Sequence, residues 1–234
     1  MLGLGMGLHK HKQKQIVRNG LVLYLDGKDF SNSPPTSLWN DRSGLGNNAT
    51  PSGMAYTTSS GSDGVGGVVF DGVNDNADCG TDISLKPLNA ISCEINLIFT
   101  SFATSQRLFS DWHLNVYLDR WLFLTSGINE LMFVVCNKNE LTVTIVKASS
   151  LSLNVKYSFV GVYDGTNVKL YKDSVLISTL PLSGIMNASV NRKIKIGNQD
   201  ETPGEFFNGV ISSTKIYNRA LTDSEIRQNY NASR

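Results

Sequence analysis

FFNGVISSTKIYNRALTDSEIRQNY, residues 206–230, is the stretch that decides the fold. From Phe207 to Tyr217, apolar residues alternate with polar or small ones, which is typical of a strand with one buried face. Asn218 begins a turn. Thr222 with Glu225 three positions later is the signature of a capping box, in which each side chain binds a backbone N–H that the first helical turn leaves unpaired. The stretch therefore predicts a strand, a tight turn and a short helix.

Composition bounds the class of protein. The chain has 234 residues, of which 41% are apolar and 18% are charged. This length allows one large β-sandwich with a sizeable core and no need for disulfides. The net charge of +1 argues against a global attraction to nucleic acid. The cysteines fit neither a disulfide framework nor a zinc site by number and spacing, so we expect them to be buried. They are Cys79, Cys93 and Cys136.

Short strand patterns separated by turn residues fill the chain from residue 68 onward. Alternation of apolar and polar residues is clear in 141–146 and 193–196. The pairs Asp164-Gly165 and Lys172-Asp173 lie between apolar runs at hairpin spacing. Many short strands with one terminal helix predict an all-β fold, a two-sheet antiparallel sandwich over residues 20–234.

Residues 1–19 differ in composition from the rest of the chain. Apolar residues alternate with glycine over positions 2–8, and a basic stretch follows, with no acidic residue before Asp26. The order is the reverse of a secretory signal, and no apolar run is long enough to span a bilayer. The segment is either a disordered basic tail or an arm that docks to another subunit, and we expect the arm. The residues predicted to dock are Leu2, Leu4, Met6, Leu8, Lys10, Lys12 and Lys14.

Four further blocks precede the closing stretch: GLVLYLD (20–26), WNDRSGLGNN (39–48), VVFDGVND (68–75) and YSFVGVYDGTNVKLYK (157–172). Together with residues 207–230 they resemble the laminin-G-like branch of the concanavalin A-like lectin/glucanase superfamily, over nearly all of residues 20–230. The resemblance implies a jelly-roll sandwich of two curved sheets. It also implies that the strand ending at Tyr217 lies beside the first strand, 21–25, and that the helix covers a sheet edge.

The resemblance also has functional implications. Modules of this kind often bind glycans or proteins through their loops or concave sheet, and many hold a structural calcium. Modules without a signal peptide are frequent in bacteriophage virions, as fibre or capsid-decoration components. These implications guide the interpretation of the polar clusters that follow.

Four oxygen-bearing side chains are candidate calcium ligands. Asp71, Asn74 and Asp75 cluster in one predicted turn, and Asp26 ends a strand. Hard oxygen ligands of this type suit calcium, and the resemblance supports a calcium near this loop. The alternative is that these residues form ordinary turns and cap their own backbone.

A dense group of aromatic and polar residues is the candidate carbohydrate site. Sugar sites on sandwiches use aromatic platforms for the apolar sugar face and polar groups for the hydroxyls. The alternative is that several of these residues belong to the core. The candidates are Trp112, His113, Tyr117 and Arg120.

Catalysis has little support in the sequence. Glycosidases use two carboxyl groups roughly 5–9 Å apart, which two acids at alternate positions of one strand provide. Here Glu94 is followed by Asn96 and Ile98, and Glu130 and Glu140 each stand alone. We therefore expect a protein that is not an enzyme.

Our leading hypothesis is a structural decoration or fibre protein of a bacteriophage virion, made in the host cytoplasm. It would dock to other virion proteins through residues 1–19 and display a lectin-like domain that binds host-surface glycans. The alternatives are a carbohydrate-binding adhesin module on the extracellular surface of a microbe, and a glycoside hydrolase with atypical acids.

Overall fold

A computed structural model of the chain describes residues 15–33, 38–103, 105–112, 120–127, 129–138, 142–187, 191–199 and 204–234. These residues form two antiparallel β-sheets and one α-helix. The predicted two-sheet antiparallel sandwich with one short C-terminal helix is confirmed.

The first sheet has eight strands within the described residues. Its order is β13-β12-β11-β6-β15-β4-β3, and β1 also pairs with β15. The strands are β1 (Leu21–Asp26), β3 (Gly61–Ser62), β4 (Val68–Asp71), β6 (Ile91–Phe99), β11 (Lys156–Tyr163), β12 (Asn167–Lys172), β13 (Val175–Pro181) and β15 (Asn208–Tyr217).

The second sheet has seven strands within the same residues, in the order β10-β9-β8-β7-β14-β5-β2. The strands are β2 (Thr50–Ser52), β5 (Asn76–Asp78), β7 (Arg107–Asp111), β8 (Trp121–Thr125), β9 (Leu131–Cys136), β10 (Val143–Ala148) and β14 (Lys195–Ile196).

The described residues also form two short 3-10 helices, Gly27–Asp29 and Ile83–Leu85.

Strand β15 occupies the middle of the first sheet. One side pairs with β6; on the other side, 208–211 pair with β4 and 213–217 pair with β1. A register shift between Ile211 and Ser213 accommodates the change of partner. The predicted neighbour relation between the closing strand and the first strand is therefore confirmed.

The core lies between the two sheets, and strand alternation determines which side chains enter it. Cys93, Ile95 and Leu97 of β6 point into the core, while Glu94 and Asn96 lie on the opposite face. The sheets approach closely at Gly161 of β11, where an added Cβ would meet the Phe133 ring at 2.6 Å. The three cysteines are buried, as expected.

The helix α1 (Asp223–Ala232) packs on the outer face of the first sheet. Leu221 and Ile226 pack in one apolar cluster with Val160 and Val162 of β11 and with Tyr217. The expectation that the helix covers a sheet edge is therefore wrong, because its apolar side meets the apolar side chains that β11 and β15 present outward. Within the described residues, no helix combines the length and apolar character needed to cross a membrane.

Residues 15–19 also pack on this face. Val17 is buried, its N–H donates to Asn229 Oδ1 at 2.8 Å, and its carbonyl accepts from the Tyr217 hydroxyl at 3.1 Å. Gln228 Nε2 donates to the Gln15 carbonyl at 2.8 Å. Residues 15 and 17 thus bind α1 and β15, whereas the predicted boundary between the arm and the sandwich lies after residue 19.

Candidate functional site

A groove crosses the outer face of the first sheet beside the C-terminal end of α1. Its cavity volume is about 440 Å³, and a smaller pocket of about 80 Å³ adjoins it. Both are bordered by Asn96, Lys156, Ser233 and Arg234. We name this surface the outer groove. Its further lining residues include Tyr24, Asp26, Lys28, Asp63, Ile98, Val210, Ser212 and Ser213.

The floor of the outer groove is polar because of the alternation in β6. Asn96 faces outward and is almost fully buried. Its amide nitrogen Nδ2 donates to Ser213 Oγ and to Glu94 Oε1, both at 2.9 Å. These bonds hold the amide in one orientation, so the floor of the groove is preorganised.

A buried polar network continues from this floor beneath α1. Glu94 Oε1 accepts from Lys215 Nζ at 2.6 Å, and Glu94 Oε2 accepts from Asn229 Nδ2 at 2.9 Å. The side chains of Glu94 and Lys215 are 1% and 0% exposed. Asn229 Nδ2 also donates to the Tyr217 hydroxyl at 2.9 Å. The helix is thus tied to the sheet by charge-assisted hydrogen bonds as well as by apolar packing.

Tyr24 and Asp26 of β1 form one rim of the outer groove. The Tyr24 hydroxyl donates to Asp26 Oδ2 at 2.9 Å, and the same oxygen accepts from Arg42 Nη1 at 2.7 Å. Burial, with the nearby Asp26 carboxylate, raises the pKa of Tyr24 to about 12. The phenol therefore stays neutral at physiological pH.

Three exposed cations surround the opening. Lys28, Lys156 and Arg234 line the groove, and no ion pair joins them to a residue that the structure describes. Asp63 also lines it, and its Oδ1 accepts the N–H groups of Val65 and Gly67, both at 2.8 Å. The groove therefore offers cationic donors, carboxylate acceptors, hydroxyls and an amide within one concave surface.

Two of the predicted carbohydrate residues, Trp112 and Arg120, are described by the structure, and neither lines the outer groove. Arg120 is fully buried, where its Nη1 binds Asp111 Oδ2 at 2.8 Å beside Lys86. It is not available to a sugar in this structure, because its side chain has no exposed area. Trp112 is half-buried against an apolar cluster that includes Leu122. His113 and Tyr117 lie outside the described residues.

The predicted calcium ligands lie in two places: Asp71, Asn74 and Asp75 lie at the turn from β4 to β5, and Asp26 ends β1. Asp75 is fully buried, with Oδ1 accepting from Ser60 Oγ and Oδ2 accepting from the Asp71 N–H. Burial raises the pKa of Asp75. Asp71 Oδ1 accepts the Val73 N–H within its own turn.

The fourth candidate, Asp26, is paired with Arg42 at 2.7 Å. Within the described residues, no group of three or more His, Cys, Asp or Glu side chains is arranged to hold a metal ion. Calcium binding stays a prediction, which thermal unfolding with and without Ca²⁺ would test.

The outer groove could have been found from the sequence only in part. The signal was Asn96, two positions after Glu94, in a strand whose other residues are largely apolar. Two polar groups on the outward face of such a strand indicate a polar surface there. Tyr24, Asp63 and Lys156 carry no comparable signal, because only the sheet topology brings them together.

The predicted docking-arm residues, from Leu2 to Lys14, lie outside the described residues. Of the acids weighed for catalysis, Glu94 lies under α1 in its ion pair. Glu130 accepts hydrogen bonds from Ser126 and Ser149, and these bonds lower its pKa. Glu140 lies outside the described residues.

Solved structures with a similar fold include two kinds of protein. The binding domain of botulinum neurotoxin DC in complex with SialylT has a TM-score of 0.64 at 12% identity, over 93% of this chain and 52% of that one. The sialidase of Trypanosoma rangeli in complex with sialic acid has a TM-score of 0.67 at 15% identity, over 90% of this chain and 32% of that one. The chain thus spans about half the length of the toxin domain and a third of the sialidase. At these identities the likeness shows the fold alone.

A search of curated proteins finds no match to this sequence. A laminin G family model, described as the concanavalin A-like lectin/glucanases superfamily, matches residues 71–227, which is 157 of the 234 residues. The strand order, the core and this match agree, and the chain belongs to the concanavalin A-like lectin/glucanases superfamily.

Proposed function

We propose that this protein is a non-enzymatic carbohydrate-binding module and that the outer groove is its glycan site. The proposal rests on the outer groove itself, which encloses a cavity of about 440 Å³ above a polar floor held by hydrogen bonds. Sugars present many hydroxyls, which are both donors and acceptors, and a site for them needs both kinds of group close together. Asp26 and Asp63 supply acceptors, and Lys28, Lys156 and Arg234 supply donors.

Aromatic rings add to this suitability. Tyr24 lines the larger cavity, while Tyr157 and Tyr230 line the smaller one. Aromatic faces pack against the apolar face of a sugar ring. The toxin and sialidase structures named above were solved with SialylT and with sialic acid, respectively. Carboxylate-bearing sugars are therefore the first class to test beside neutral ones.

Glu94 supports the non-enzymatic part of the proposal. A glycosidase acid must reach the glycosidic oxygen, whereas the Glu94 side chain is 1% exposed and paired with Lys215. The alternative, a glycoside hydrolase, requires that the native chain hydrolyses a glycan. Such turnover would overturn the proposal.

The experiment is a glycan array followed by calorimetry with the best neutral and the best acidic hits. We expect saturable binding that weakens at least about tenfold, or 1.4 kcal/mol, in the double variant Lys28→Glu/Lys156→Glu. Lys28→Glu and Lys156→Glu are also measured singly, and Lys138→Glu is the control for each, because Lys138 is exposed just after β9 in the other sheet. Binding that is unchanged in the double variant would remove the outer groove as the site.

A second proposal concerns the place where the module acts. We infer display on a bacteriophage particle, with the segment before residue 15 docking to other virion proteins. Its support is the composition of that segment and the fixing of residues 15–19 to α1, which gives the segment a defined point of departure. Undiminished association of a chain starting at residue 15 with its particle would contradict this proposal.

A further inference from the structure

One sheet edge lacks the features that normally protect an edge. Sheets end in strands with unpaired N–H and C=O groups, and proteins shield them with short strands, charges, proline or a covering segment. Among the strands that pair on one side only, β3 has two residues and β2 has three, including Pro51. The open side of β1 is covered by Asp41 and Arg42, which bind the backbone of Tyr24. Strand β10 carries Lys147, which pairs with Glu130 at 3.5 Å.

Strand β13 is different. It is seven residues long, contains no charged residue, and has proline only at its last position, Pro181. Its large side chains are exposed, at 62% for Val175, 45% for Leu176, 40% for Ile177 and 43% for Leu180. Side chains on both faces of the strand are therefore open to solvent.

The exposed apolar surface extends onto the neighbouring end strand β10. Thr144 Oγ1 donates to the Pro181 carbonyl at 3.3 Å, which places β10 against the C-terminal end of β13. Val143 and Ile145 of β10 are 43% and 40% exposed. Six of the large exposed apolar side chains thus gather at this one end of the sandwich, and such a patch marks an interaction surface.

We propose that β13 pairs antiparallel with β13 of a second copy of this chain, so that the first sheets of two molecules become continuous. A two-fold axis places the same strand on both sides of the contact. Because β13 carries no charge, self-pairing brings no like charges together. The one contact between the two β13 strands then covers the open β13 edge of each copy.

The available area is sufficient for this pairing. A specific interface buries at least about 1,000 Å² in total, or roughly 500 Å² from each partner. Six large apolar side chains that are 40–62% exposed supply area of this order in each copy. The backbone of 175–179 adds hydrogen bonds along the edge, as in other strand additions.

The test is sedimentation velocity on the full chain over a dilution series. We expect the native chain to form a species of twice 25.6 kDa that dissociates on dilution. The double variant Val175→Lys/Ile177→Lys is expected to sediment as a single chain. The control Val73→Lys/Ile83→Lys removes side chains that are 69% and 70% exposed elsewhere, and we expect it to remain dimeric.

Amide hydrogen exchange of the native chain provides a second readout that needs no variant. Protection of the β13 amides is expected to rise with protein concentration, while that of the other end strands stays constant. A native chain that is monomeric throughout, or a dimeric lysine variant, would overturn the proposal. So would loss of the dimer when only residues 1–14 are deleted, because that segment would then be the occupant. Glycan binding by the monomer is independent of each of these outcomes.

Discussion

At the scale of single residues, the pair Glu94–Lys215 is the most consequential contact beneath α1. Removing one member of a buried pair leaves the other charge uncompensated, at a cost of about 3–5 kcal/mol. We therefore expect Glu94→Gln to lower the free energy of unfolding by about this amount, measured by urea denaturation.

A double variant distinguishes the cost of an unpaired buried charge from the cost of changed packing. In Glu94→Gln/Lys215→Met no buried charge remains at this site, and replacing a buried pair by neutral groups is often nearly neutral. We expect this variant to regain most of the lost stability. A loss below about 1 kcal/mol in the single variant, as for an exposed pair, would contradict the buried position of the contact.

Tyr24 gives the groove rim a dependence on alkaline pH. Its pKa is raised from 10.0 to about 12, so the folded state holds its proton more tightly than the unfolded chain does. This contribution is complete below pH 10 and is lost as the pH rises toward 12. Urea midpoints across this window, compared with those of Tyr24→Phe, measure it. If the urea midpoint fell equally with pH in the native chain and in Tyr24→Phe, Tyr24 would not be the source of this dependence.

At the scale of elements, the capping box of α1 was predicted and is present. The N–H of Glu225 donates to Thr222 Oγ1 at 3.3 Å, and the Thr222 N–H donates to Glu225 Oε2 at 2.9 Å. Thr222→Ala is expected to cost about 1 kcal/mol, whereas Thr222→Ser keeps the hydroxyl and stays near the native value. Thermal unfolding of the three proteins in parallel checks this.

The same element responds to acid. Hydrogen bonding to Arg219 lowers the pKa of Glu225 to about 2. A lowered folded-state pKa stabilises above the unfolded value of 4.5, and the contribution disappears as pH falls toward 2. We expect Glu225→Gln to flatten the acid limb of the stability curve in this window. NMR titration of the Glu225 carboxyl tests the same point directly.

The elements also show where sequence reasoning succeeded and where it stopped. Alternation over 207–217 predicted β15 to within one residue, and alternation over 141–146 predicted part of β10, in which buried and exposed residues alternate. One buried face imposes this period of two on the residues themselves. It missed β3, whose two residues, Gly61 and Ser62, are too few to show a period. The capping box predicted where α1 begins but not that it lies on a sheet face, because capping is local and packing is not.

At the scale of the whole molecule, the anchoring of residues 15–19 can be measured. A chain starting at residue 20 loses buried Val17 and its bonds to Asn229 and Tyr217. We expect it to be less stable by about 2 kcal/mol than a chain starting at residue 15, since it loses one buried side chain and several hydrogen bonds. Equal unfolding midpoints for the two truncated proteins would place the boundary after residue 19.

At the same scale, the predicted sugar residues and the outer groove come from different kinds of evidence. Trp112 and Arg120 have a composition suited to a binding surface, yet Arg120 forms a buried ion pair with Asp111, nine positions away. The outer groove instead joins Tyr24, Asn96 and Ser213, which come together only through the pairing of β15 with both β1 and β6. A composition argument finds residues that are close in sequence, whereas this groove is assembled from several segments that are far apart in sequence.

The central position of β15 also has a consequence for biosynthesis. Among the described strands, β1 is synthesised before its strand partner β15 and before every strand between them. Val17 likewise binds Asn229, which is synthesised 212 residues later. Contacts so distant in sequence slow folding. A nascent chain that stops before β15 holds β1, β4 and β6 without their shared neighbour, exposing edges that invite aggregation. The first sheet therefore completes its assembly only after β15 has been synthesised, and until then its unpaired strands remain exposed to aggregation.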